Sequence, residues 1–400
     1  MLSVVEARRR ILEGLHPTPA ESVALDATWG RVTARPILAR LSNPPADISA
    51  MDGYAVRAAD TEPGTRLRLV GVSPAGHPFT GTVGSGECVR LFTGSVMPEG
   101  SDCVLIQENA SRDGDSVTVN QAVQPAKHIR RAGQDFASGD VVITAGRRLG
   151  ARDIGLAAAA NYAWVTCHRR PVIALLATGD ELALPGEPIP PGGITNSNTP
   201  MLAASIRAAG GEALVLPPAP DDIRAIASSV DGLRCDMLVT VGGASVGDYD
   251  LVQAGLAERG FSVDFWKIAM RPGKPLMHGR LGDIPVLGLP GNPVSALVCA
   301  LLFLLPSIAT LSGDQMYSPD IERATLATAL PANDERADHL RASLTRDGHG
   351  GYLVAPFPKQ DSGMLRRLAT SEALILRAPN APALVAGELV EFIRLDRFGL

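Results

Sequence analysis

The segment Met237 to Asp250, MLVTVGGASVGDYD, joins a short apolar run to a glycine-rich turn and two carboxylates. The last three residues of the run are β-branched, which predicts a buried parallel strand over 237–241. Glycines at its end let the backbone approach a ligand and turn its N–H groups toward an oxyanion. The carboxylates just beyond are suited to a hard cation lying against that anion. The segment therefore predicts phosphate or oxyanion chemistry at the carboxyl end of a sheet.

The composition indicates a folded protein of two to four domains. The chain has 400 residues, too many for one ordinary core, and its hydrophobic and charged fractions are 46% and 20%. Its net charge of −5 argues against general nucleic-acid binding, which depends on basic surface. An anionic ligand must therefore be held by a local basic cluster.

The compartment is predicted to be the cytoplasm. The five cysteines form no CxxC pair, which argues against zinc sites and a disulfide framework. The charged N-terminus lacks the apolar core of a secretory signal. The longest apolar stretch, Val294 to Leu305, is shorter than the ~20 residues that span a bilayer. We interpret it as a buried helix or a subunit interface and expect no membrane contact.

Strand and helix patterns alternate from Pro171 onward, which predicts a mostly parallel sheet flanked by helices. Helix caps are expected at Thr199, at Asp221 or Asp222, and at Asn292. The predicted strands of this sheet are Val172–Ala177, Ala213–Leu216, Met237–Val241 and Ile284–Leu289.

The whole chain reads as a multidomain α/β plus β protein. Short β-rich runs from Asn43 to Asp135 predict a small inserted β domain, and helical patterns at Ser3–Leu15 and Gly150–Ala160 predict a linking region made from both flanks. After Pro306 the periodicity turns β again, which predicts a C-terminal barrel or sandwich. The predicted parts are residues 1–42 with 136–170 (linking helical region), 43–135 (inserted β-rich domain), 171–312 (α/β domain) and 313–400 (C-terminal β-barrel-like domain).

Four loops of the α/β region are expected to converge at the carboxyl ends of its strands. They supply carboxylates, backbone donors, two cations in a loop that prolines restrict, and a helix N-terminus, which together suit phosphoryl or nucleotidyl chemistry. Taken singly, each loop also fits an ordinary turn, cap or surface charge. The loops are Thr178–Glu181, Gly242–Asp250, Met270–Pro275 and Gly288–Ser295.

Other nucleotide and metal motifs are missing from the sequence. No GxxxxGK[ST] is present, so Gly273-Lys274 is not a Walker loop, and no GxGxxG opens a helix. The seven histidines form no HExxH pattern.

Several longer motifs resemble the molybdopterin molybdenumtransferase family, which includes the MoeA-type enzymes of bacteria and the E domain of gephyrin. The resemblance covers nearly the whole chain in order, and its α/β domain is the family's molybdopterin-binding domain. The related adenylyltransferases share only that domain. The motifs are SAMDGYAV (Ser49–Val56), FTGSVMPEGSDCV (Phe92–Val104), RAGQD (Arg131–Asp135), ATGDEL (Ala177–Leu182), VGGASVGDYD (Val241–Asp250), MRPGKP (Met270–Pro275) and GLPGNPVSALV (Gly288–Val298).

The resemblance implies a reaction and an assembly. Molybdate is inserted into the dithiolene of adenylylated molybdopterin, with Mg²⁺ present and AMP released. Family members are elongated homodimers whose cleft receives the β domain of the partner subunit. Contact with the molybdopterin adenylyltransferase is a further expectation.

The same resemblance assigns roles to residues. The catalytic set is Asp52, Thr93, Asp135, Glu181 and Asp250, the first three reaching the cleft from the partner subunit. The set for adenylylated molybdopterin is Thr178, Gly179, Gly242, Gly243, Ser245, Pro290 and Asn292. The molybdate set is Lys267, Arg271, Lys274, Ser295, Arg341 and Ser362. The Mg²⁺ set is Asp180, Glu181, Asp248 and Asp250.

One departure concerns the basic loop, which in the family more often reads KPGKP. Here Arg271 stands in place of the first lysine, and its planar fork binds oxyanions differently from a point charge. Two other functions stay open: a scaffold or cofactor-storage protein, and another nucleotide enzyme that shares the α/β domain.

Overall fold

The N-terminal part combines two helices with paired strands in the computed structural model, which describes residues 1–242, 251–318, 320–348 and 350–396. Short 3₁₀ helices lie at Leu25–Ala27, Ala58–Asp60 and Gln107–Asn109. The other elements are α1 (Val4–Glu13), β1 (Ala20–Ala24), β2 (Ile37–Leu38), β3 (Ile48–Ser49), β4 (Gly53–Val56), β5 (Arg66–Ser73), β6 (Glu87–Leu91), β7 (Cys103–Ile106), β8 (Ala110–Asp113), β9 (Ser116–Val119), β10 (Ile129–Arg130), β11 (Val141–Ile143), α2 (Ala151–Ala159) and β12 (Trp164–His168).

The linking region is closed by strands as well as helices. Strand β1 pairs antiparallel with β12 and β2 with β11, so the flank before the insertion is hydrogen-bonded to the flank after it. Helix α1 begins after Ser3, whose hydroxyl accepts the Glu6 N–H at 3.1 Å. These strand pairs were missed in the sequence because each forms only a short, two-stranded ladder.

The predicted β-rich insertion contains a six-stranded sheet with strand order β7-β4-β6-β5-β9-β8 and a two-stranded ladder of β3 with β10. Its β4 is buried along its whole length and lies between β6 and β7. Gly53 is required there, because a Cβ would lie 2.2 Å from the Leu105 carbonyl oxygen.

The α/β part contains β13 (Val172–Ala177), β14 (Leu182–Ala183), β15 (Ile194–Thr195), α3 (Asn198–Ala208), β16 (Glu212–Val215), α4 (Ile223–Ser228), β17 (Met237–Val241), α5 (Leu251–Ala257), β18 (Phe261–Trp266), β19 (Met270–Arg271), β20 (Met277–Leu281), β21 (Ile284–Leu289), α6 (Pro293–Cys299) and α7 (Leu305–Leu311). The strand order is β16-β13-β17-β21-β20-β18. The first four strands are parallel, and β20 and β18 add antiparallel. The predicted mostly parallel sheet is confirmed, and every residue of β17 is buried.

One helix start differs from the sequence prediction, and one predicted cap lacks its side-chain hydrogen bond. Helix α3 begins at Asn198, before the predicted cap at Thr199. The Asn196 side chain accepts the Thr199 N–H at 3.1 Å, so a residue further upstream satisfies the first turn. Asn292 does occupy the N-cap position of α6, but its side chain makes no capping hydrogen bond.

The helical run that begins with α6 continues past Pro306, where the apolar stretch was expected to end. A π-helical turn at Ala300–Leu304 joins α6 to α7, and this irregularity accommodates a residue that has no N–H. Among the described residues, the run Pro293–Leu311 is long and apolar enough to cross a membrane, but 94% of its apolar window is buried inside the protein. The interpretation as a buried core helix is therefore confirmed.

The C-terminal part is a closed barrel. Its elements are β22 (Ile321–Leu326), β23 (Ala337–Arg346), β24 (Tyr352–Pro356), α8 (Leu365–Ala369), β25 (Ala373–Arg377) and β26 (Leu389–Arg394). The order β23-β24-β22-β26-β25 returns to β23 through a β23–β25 pairing, which closes five strands into a ring. The barrel-like prediction is confirmed, while the four domain boundaries stay a prediction.

The barrel is joined to the α/β part through main-chain pairing. Strand β19 leaves the α/β part and pairs parallel with the start of β23, with Met270 opposite Ala337 and Arg271 opposite Asp338. One apolar core includes Ile11 of α1, Phe303 of the π-helical turn and Leu374 of the barrel. The two parts therefore share both a ladder and a core.

His339 lies in this junction and predicts a loss of stability in acid. It is 5% exposed, and burial lowers the pKa of its imidazole to about 4, with a hydrogen bond to the Arg271 backbone opposing this only in part. The unfolded chain takes up this proton below its ordinary pKa of 6.5. Stability should therefore fall as the pH drops from that value toward 4, by about 2 kcal/mol at about pH 5.

Urea unfolding of the wild type and His339→Gln at about pH 7.5 and about pH 5 measures this difference. The wild type should lose about 2 kcal/mol more than the variant between the two pH values. Equal losses would show that His339 does not titrate as its burial implies.

Candidate active site

A cleft of about 1010 Å³ lies between the carboxyl ends of the parallel strands and the barrel. Residues Ala177, Val241 and Leu289 end β13, β17 and β21 and stand side by side in the ladder. The loops that follow these strands therefore start from one row, as the strand-end rule predicts. The described parts of all four predicted loops line this cleft.

The loop after β13 presents Glu181 to the cleft. Thr178 is 3% exposed, and its hydroxyl has no hydrogen-bond partner within the described ranges. Gly179 has a φ of +144°, and a Cβ on it would lie 2.3 Å from the Glu181 Oε2 atom. Asp180 turns away and accepts the Asp221 N–H at 3.1 Å. Asp180, predicted to bind metal, instead anchors the loop and does not line the cleft.

The loop after β17 is described only at its start. Gly242 lines the cleft with a φ of +97°, and a Cβ there would lie 2.8 Å from the Thr178 carbonyl oxygen. This close approach explains the glycine. The predicted residues Gly243, Ser245, Asp248 and Asp250 lie outside the described residues, and their roles stay predictions.

The basic loop presents Arg271 and Lys274 to the cleft, but their surroundings differ. Arg271 already binds two carboxylates of the barrel, Asp338 at 2.5 Å and Asp334 at 3.1 Å. These partners, Asp338 first, raise the pKa of Arg271. The Lys274 side chain is exposed, and no described residue forms an ion pair with its ammonium group. Lys274 is therefore the cation of this loop that is available to a ligand.

Lys267, predicted to contact molybdate, does not line the cleft. Its ammonium lies 4.7 Å from the centre of the Trp266 ring, a cation–π contact. Its position before the loop is fixed by a backbone bond from its N–H to Leu276.

The start of α6 forms the floor opposite the basic loop. Pro290, Asn292 and Ser295 line the cleft, and Ser295 is 5% exposed. The helix N-terminus is already partly used, because the Val294 N–H donates to the Ser362 carbonyl oxygen of the barrel at 3.1 Å. A ligand anion would therefore meet the Ser295 hydroxyl and the Asn292 amide rather than a fully open helix end.

The barrel contributes Ser362 directly and Arg341 indirectly. Ser362 lines the cleft beside Asp361. Arg341, predicted to contact molybdate, is 1% exposed and does not line the cleft. Its guanidinium donates to the carbonyl oxygens of Asp361 at 2.9 Å and Met364 at 3.3 Å. Arg341 therefore supports the loop that carries Ser362 from behind.

The predicted residues of the inserted β domain lie away from this chain's own cleft. Asp52 accepts hydrogen bonds from the Thr93 N–H at 2.7 Å and the Thr93 hydroxyl at 2.9 Å, and these bonds lower its pKa. Asp135 accepts a bond from the Asn43 amide at 3.1 Å. Asp52 and Thr93 form one unit, and a shared site with the cleft would require a second subunit.

Asp221 and Arg336 are among the cleft residues that were missed in the sequence. Asp221 was treated as an alternative helix cap, but Asp222 caps α4 by accepting the Ala225 N–H at 2.8 Å, and Asp221 lines the cleft. Its position at the end of a strand-to-helix loop was the signal. Arg336 also lines the cleft, within the charged stretch Asn333–Asp338, where no sequence signal distinguished it from a surface arginine.

The described carboxylates suit Mg²⁺ that is held partly by a substrate, rather than a metal ion enclosed entirely by protein ligands. No group of three His, Cys, Asp or Glu residues is arranged around a metal position within the described ranges. Glu181 and Asp221 both line the cleft. Mg²⁺ commonly binds through one or two carboxylates together with substrate phosphates and waters, so this donor set is sufficient in kind.

The fold and the cleft define a class of protein: a multidomain α/β protein that binds an oxyanion or nucleotide-like ligand between its sheet and a barrel. Family models match residues 2–161 (MoeA N-terminal region, domain I and II), 174–310 ("Probable molybdopterin binding domain") and 323–395 (MoeA C-terminal region, domain IV). The chain belongs to the molybdopterin molybdenumtransferase (MoeA) family, as the motifs indicated.

Individual relatives match over nearly the full chain. The molybdopterin molybdenumtransferase of Haemophilus influenzae is 34% identical over 395 residues, covering 98% of both chains. Molybdopterin molybdenumtransferase 2 of Mycobacterium tuberculosis is 35% identical over 388 residues, covering 94% of this chain and 95% of that protein. The crystal structure of a molybdopterin biosynthesis MoeA protein from Pyrococcus horikoshii superimposes with a TM-score of 0.85 at 26% identity, covering 98% of this chain and 100% of that chain.

The close approach at Gly242 predicts a measurable cost for a side chain at this point. Gly242→Ala should lower the free energy of unfolding by about 3 kcal/mol, because it combines an unfavourable φ with a contact against the Thr178 carbonyl. Gly282→Ala is the matched control: its φ is +59°, and nothing lies within 4 Å of the added Cβ. It should cost about 1 kcal/mol. Equal losses in urea unfolding would show that crowding against Thr178 adds nothing.

Proposed function

We propose that the chain is a molybdopterin molybdenumtransferase that inserts molybdate into adenylylated molybdopterin and releases AMP with Mg²⁺. The observation that supports this proposal is that Lys274, an available cation, and Glu181, a carboxylate, line the same cleft. Molybdate is a dianion and needs a fixed cation, while a phosphoanhydride is cleaved most readily beside a bound metal.

The cleft is large enough for a nucleotide-like substrate. Its volume of about 1010 Å³ is at the upper end of ligand pockets. Gly179 and Gly242 let main chain form its wall, so no side chain at these two positions fills the space of the ligand. The buried Thr178 hydroxyl, unpartnered in the described structure, is a further hydrogen-bonding group on this wall.

Molybdate would be held between the basic loop and the start of α6. Lys274 supplies charge, and the Ser295 hydroxyl supplies a hydrogen bond from the opposite side. Ser362 would approach from the barrel. Arg341 would act through the loop it supports, in place of the direct contact that the motifs implied.

Glu181 and Asp221 would hold Mg²⁺, joined by Asp248 and Asp250 if the motif roles apply. When bound, the ion neutralises charge on the phosphoanhydride and makes the phosphate a better leaving group. Glu181 would keep its carboxylate in place through the tight turn at Gly179.

A homodimer is part of the proposal. The Asp52 carboxylate, kept ionised by its two bonds from Thr93, would enter the partner's cleft with Asp135. A transient contact with the molybdopterin adenylyltransferase and a cytoplasmic location complete the proposal. Both are expected because the substrate is an adenylylated dithiolene that is sensitive to oxidation.

The proposal is tested by AMP release from adenylylated molybdopterin, with molybdate and Mg²⁺ supplied together and singly. Release that needs both supports the transferase. Binding of the substrate without release would favour a cofactor-storage protein. Consumption of ATP without molybdate would favour another nucleotide enzyme.

Glu181→Gln should abolish Mg²⁺-dependent AMP release, because the amide is nearly isosteric but no longer carries the charge that holds the metal. We expect a loss of at least about 100-fold in kcat. Glu187→Gln removes an exposed carboxylate of the same loop region, one that accepts the Leu184 N–H at 3.2 Å, and should leave the rate unchanged. A Glu181→Gln variant with normal turnover would contradict the metal role.

Lys274→Gln should raise the KM for molybdate by about 10-fold to 100-fold, as expected for the loss of one charged hydrogen bond to an anion. The KM for adenylylated molybdopterin should change less. Lys359→Gln, an exposed lysine outside the cleft lining, is the control. An unchanged molybdate KM in the Lys274 variant would move the oxyanion site elsewhere.

A further inference from the structure

A network of four charges lies along the barrel side of the cleft. Arg271 and Arg336 both line the cleft. A single carboxylate oxygen of Asp334 binds both of them, Arg336 at 2.7 Å and Arg271 at 3.1 Å. Asp338 binds Arg271 from the other side at 2.5 Å. Two of the three cations among the described residues of the cleft wall are therefore neutralised before any ligand arrives.

The two carboxylates are held in different surroundings. The Asp338 side chain is 8% exposed, and its second oxygen is buried with no hydrogen-bond partner in the described structure. Removing Arg271 from it would leave a buried, unpaired charge, which is costly. The Asp334 side chain is 35% exposed, so water can replace a lost arginine there at little cost. Asp338 is the fixed partner of Arg271, and Asp334 is the exchangeable one.

The backbone of Arg271 does not depend on either ion pair. It lies in the β19–β23 ladder opposite Asp338, and its neighbour Met270 pairs with Ala337. A change of partner at the guanidinium can therefore occur without movement of the loop that carries Lys274.

We propose that Asp334 is an internal competing anion, which an oxyanion substrate displaces from Arg271 and Arg336, while Asp338 positions Arg271 for that exchange. This inference rests on the proposed function, because it names the determinants of affinity at the same site. It makes Asp334 and Asp338, four residues apart, act in opposite directions on oxyanion binding.

Asp334 sets the charge and the number of contacts that a ligand needs in order to bind. A doubly charged oxyanion that also reaches Lys274 and Ser295 can replace Asp334, whereas a weaker anion gains too little to do so. The exchange keeps the network close to electrically neutral in both states, since one anion replaces another. Asp334 therefore lowers the affinity of the cleft for oxyanions. In doing so it favours doubly charged oxyanions over weaker anions and eases release of the bound anion.

The test is calorimetric titration of the full chain with sodium molybdate. Asp334→Asn should bind molybdate about threefold to fivefold more tightly, the size expected for a partly exposed ion pair. The amide oxygen can still accept the Arg336 N–H, now bonded at 3.0 Å, so the local turn is kept. The gain should shrink at high salt, because these charges are exposed.

Asp338→Asn should bind molybdate about tenfold more weakly, because Arg271 loses its fixed support. Arg336→Gln should also weaken binding and should cancel most of the gain of Asp334→Asn in the double variant. Glu391→Gln removes an exposed carboxylate that pairs with Arg323 at 3.6 Å elsewhere on the barrel, and it should change nothing.

Tighter binding by Asp334→Asn together with weaker binding by Asp338→Asn supports the inference. Equal or weaker binding by Asp334→Asn overturns it and leaves the transferase proposal standing, since the wild type still binds. Undetectable binding of molybdate by the wild type would contradict the proposed function itself. Thermal unfolding of each variant shows that the compared chains are folded.

Discussion

The register of three parallel strands is the constraint on which the site depends. Strands β13, β17 and β21 end at one row of the ladder, Ala177 beside Val241 beside Leu289. The loops that follow these three strands start from the same edge of the sheet. Groups that are distant in sequence therefore meet without long connections. A slip of one residue in any strand would rotate its loop to the other face. The buried, β-branched character of these strands makes such a slip expensive.

The cleft receives charged groups of both signs from two folded units. Glu181 and Asp221 belong to loops of the α/β part, whereas Arg336 and the carboxylates that bind Arg271 belong to the barrel. Lys274 reaches the space between them on a loop fixed at Gly273, where a Cβ would lie 2.5 Å from the Cys299 sulfur. Among the described residues, Arg271 is thus neutralised by carboxylates of the barrel, whereas Lys274 forms no ion pair.

Sequence patterns predicted what depends on local chemistry. Strands 172–177, 237–241 and 284–289 were predicted with the bounds that the structure shows, because each apolar run stops at a threonine, glycine or proline. The burial of Arg341 and the pairing of Arg271 with Asp338 could not be predicted from the sequence, since each depends on contacts across the barrel that no periodicity encodes. Strands β18 and β20 were also missed. In β18, which lies at the edge of the sheet, exposed residues interrupt the apolar pattern.

The ladder between β19 and β23 has a consequence for how the parts of this chain can be separated. A two-residue strand of one unit completes the edge of another, which is the geometry by which sheets capture extended peptides. A barrel cut away from the chain would expose the N-terminal end of β23 as an unpaired edge, a template for association with other chains. The barrel is therefore not an independent domain that gene fusion could transfer to another protein, because its solubility depends on pairing with the α/β part.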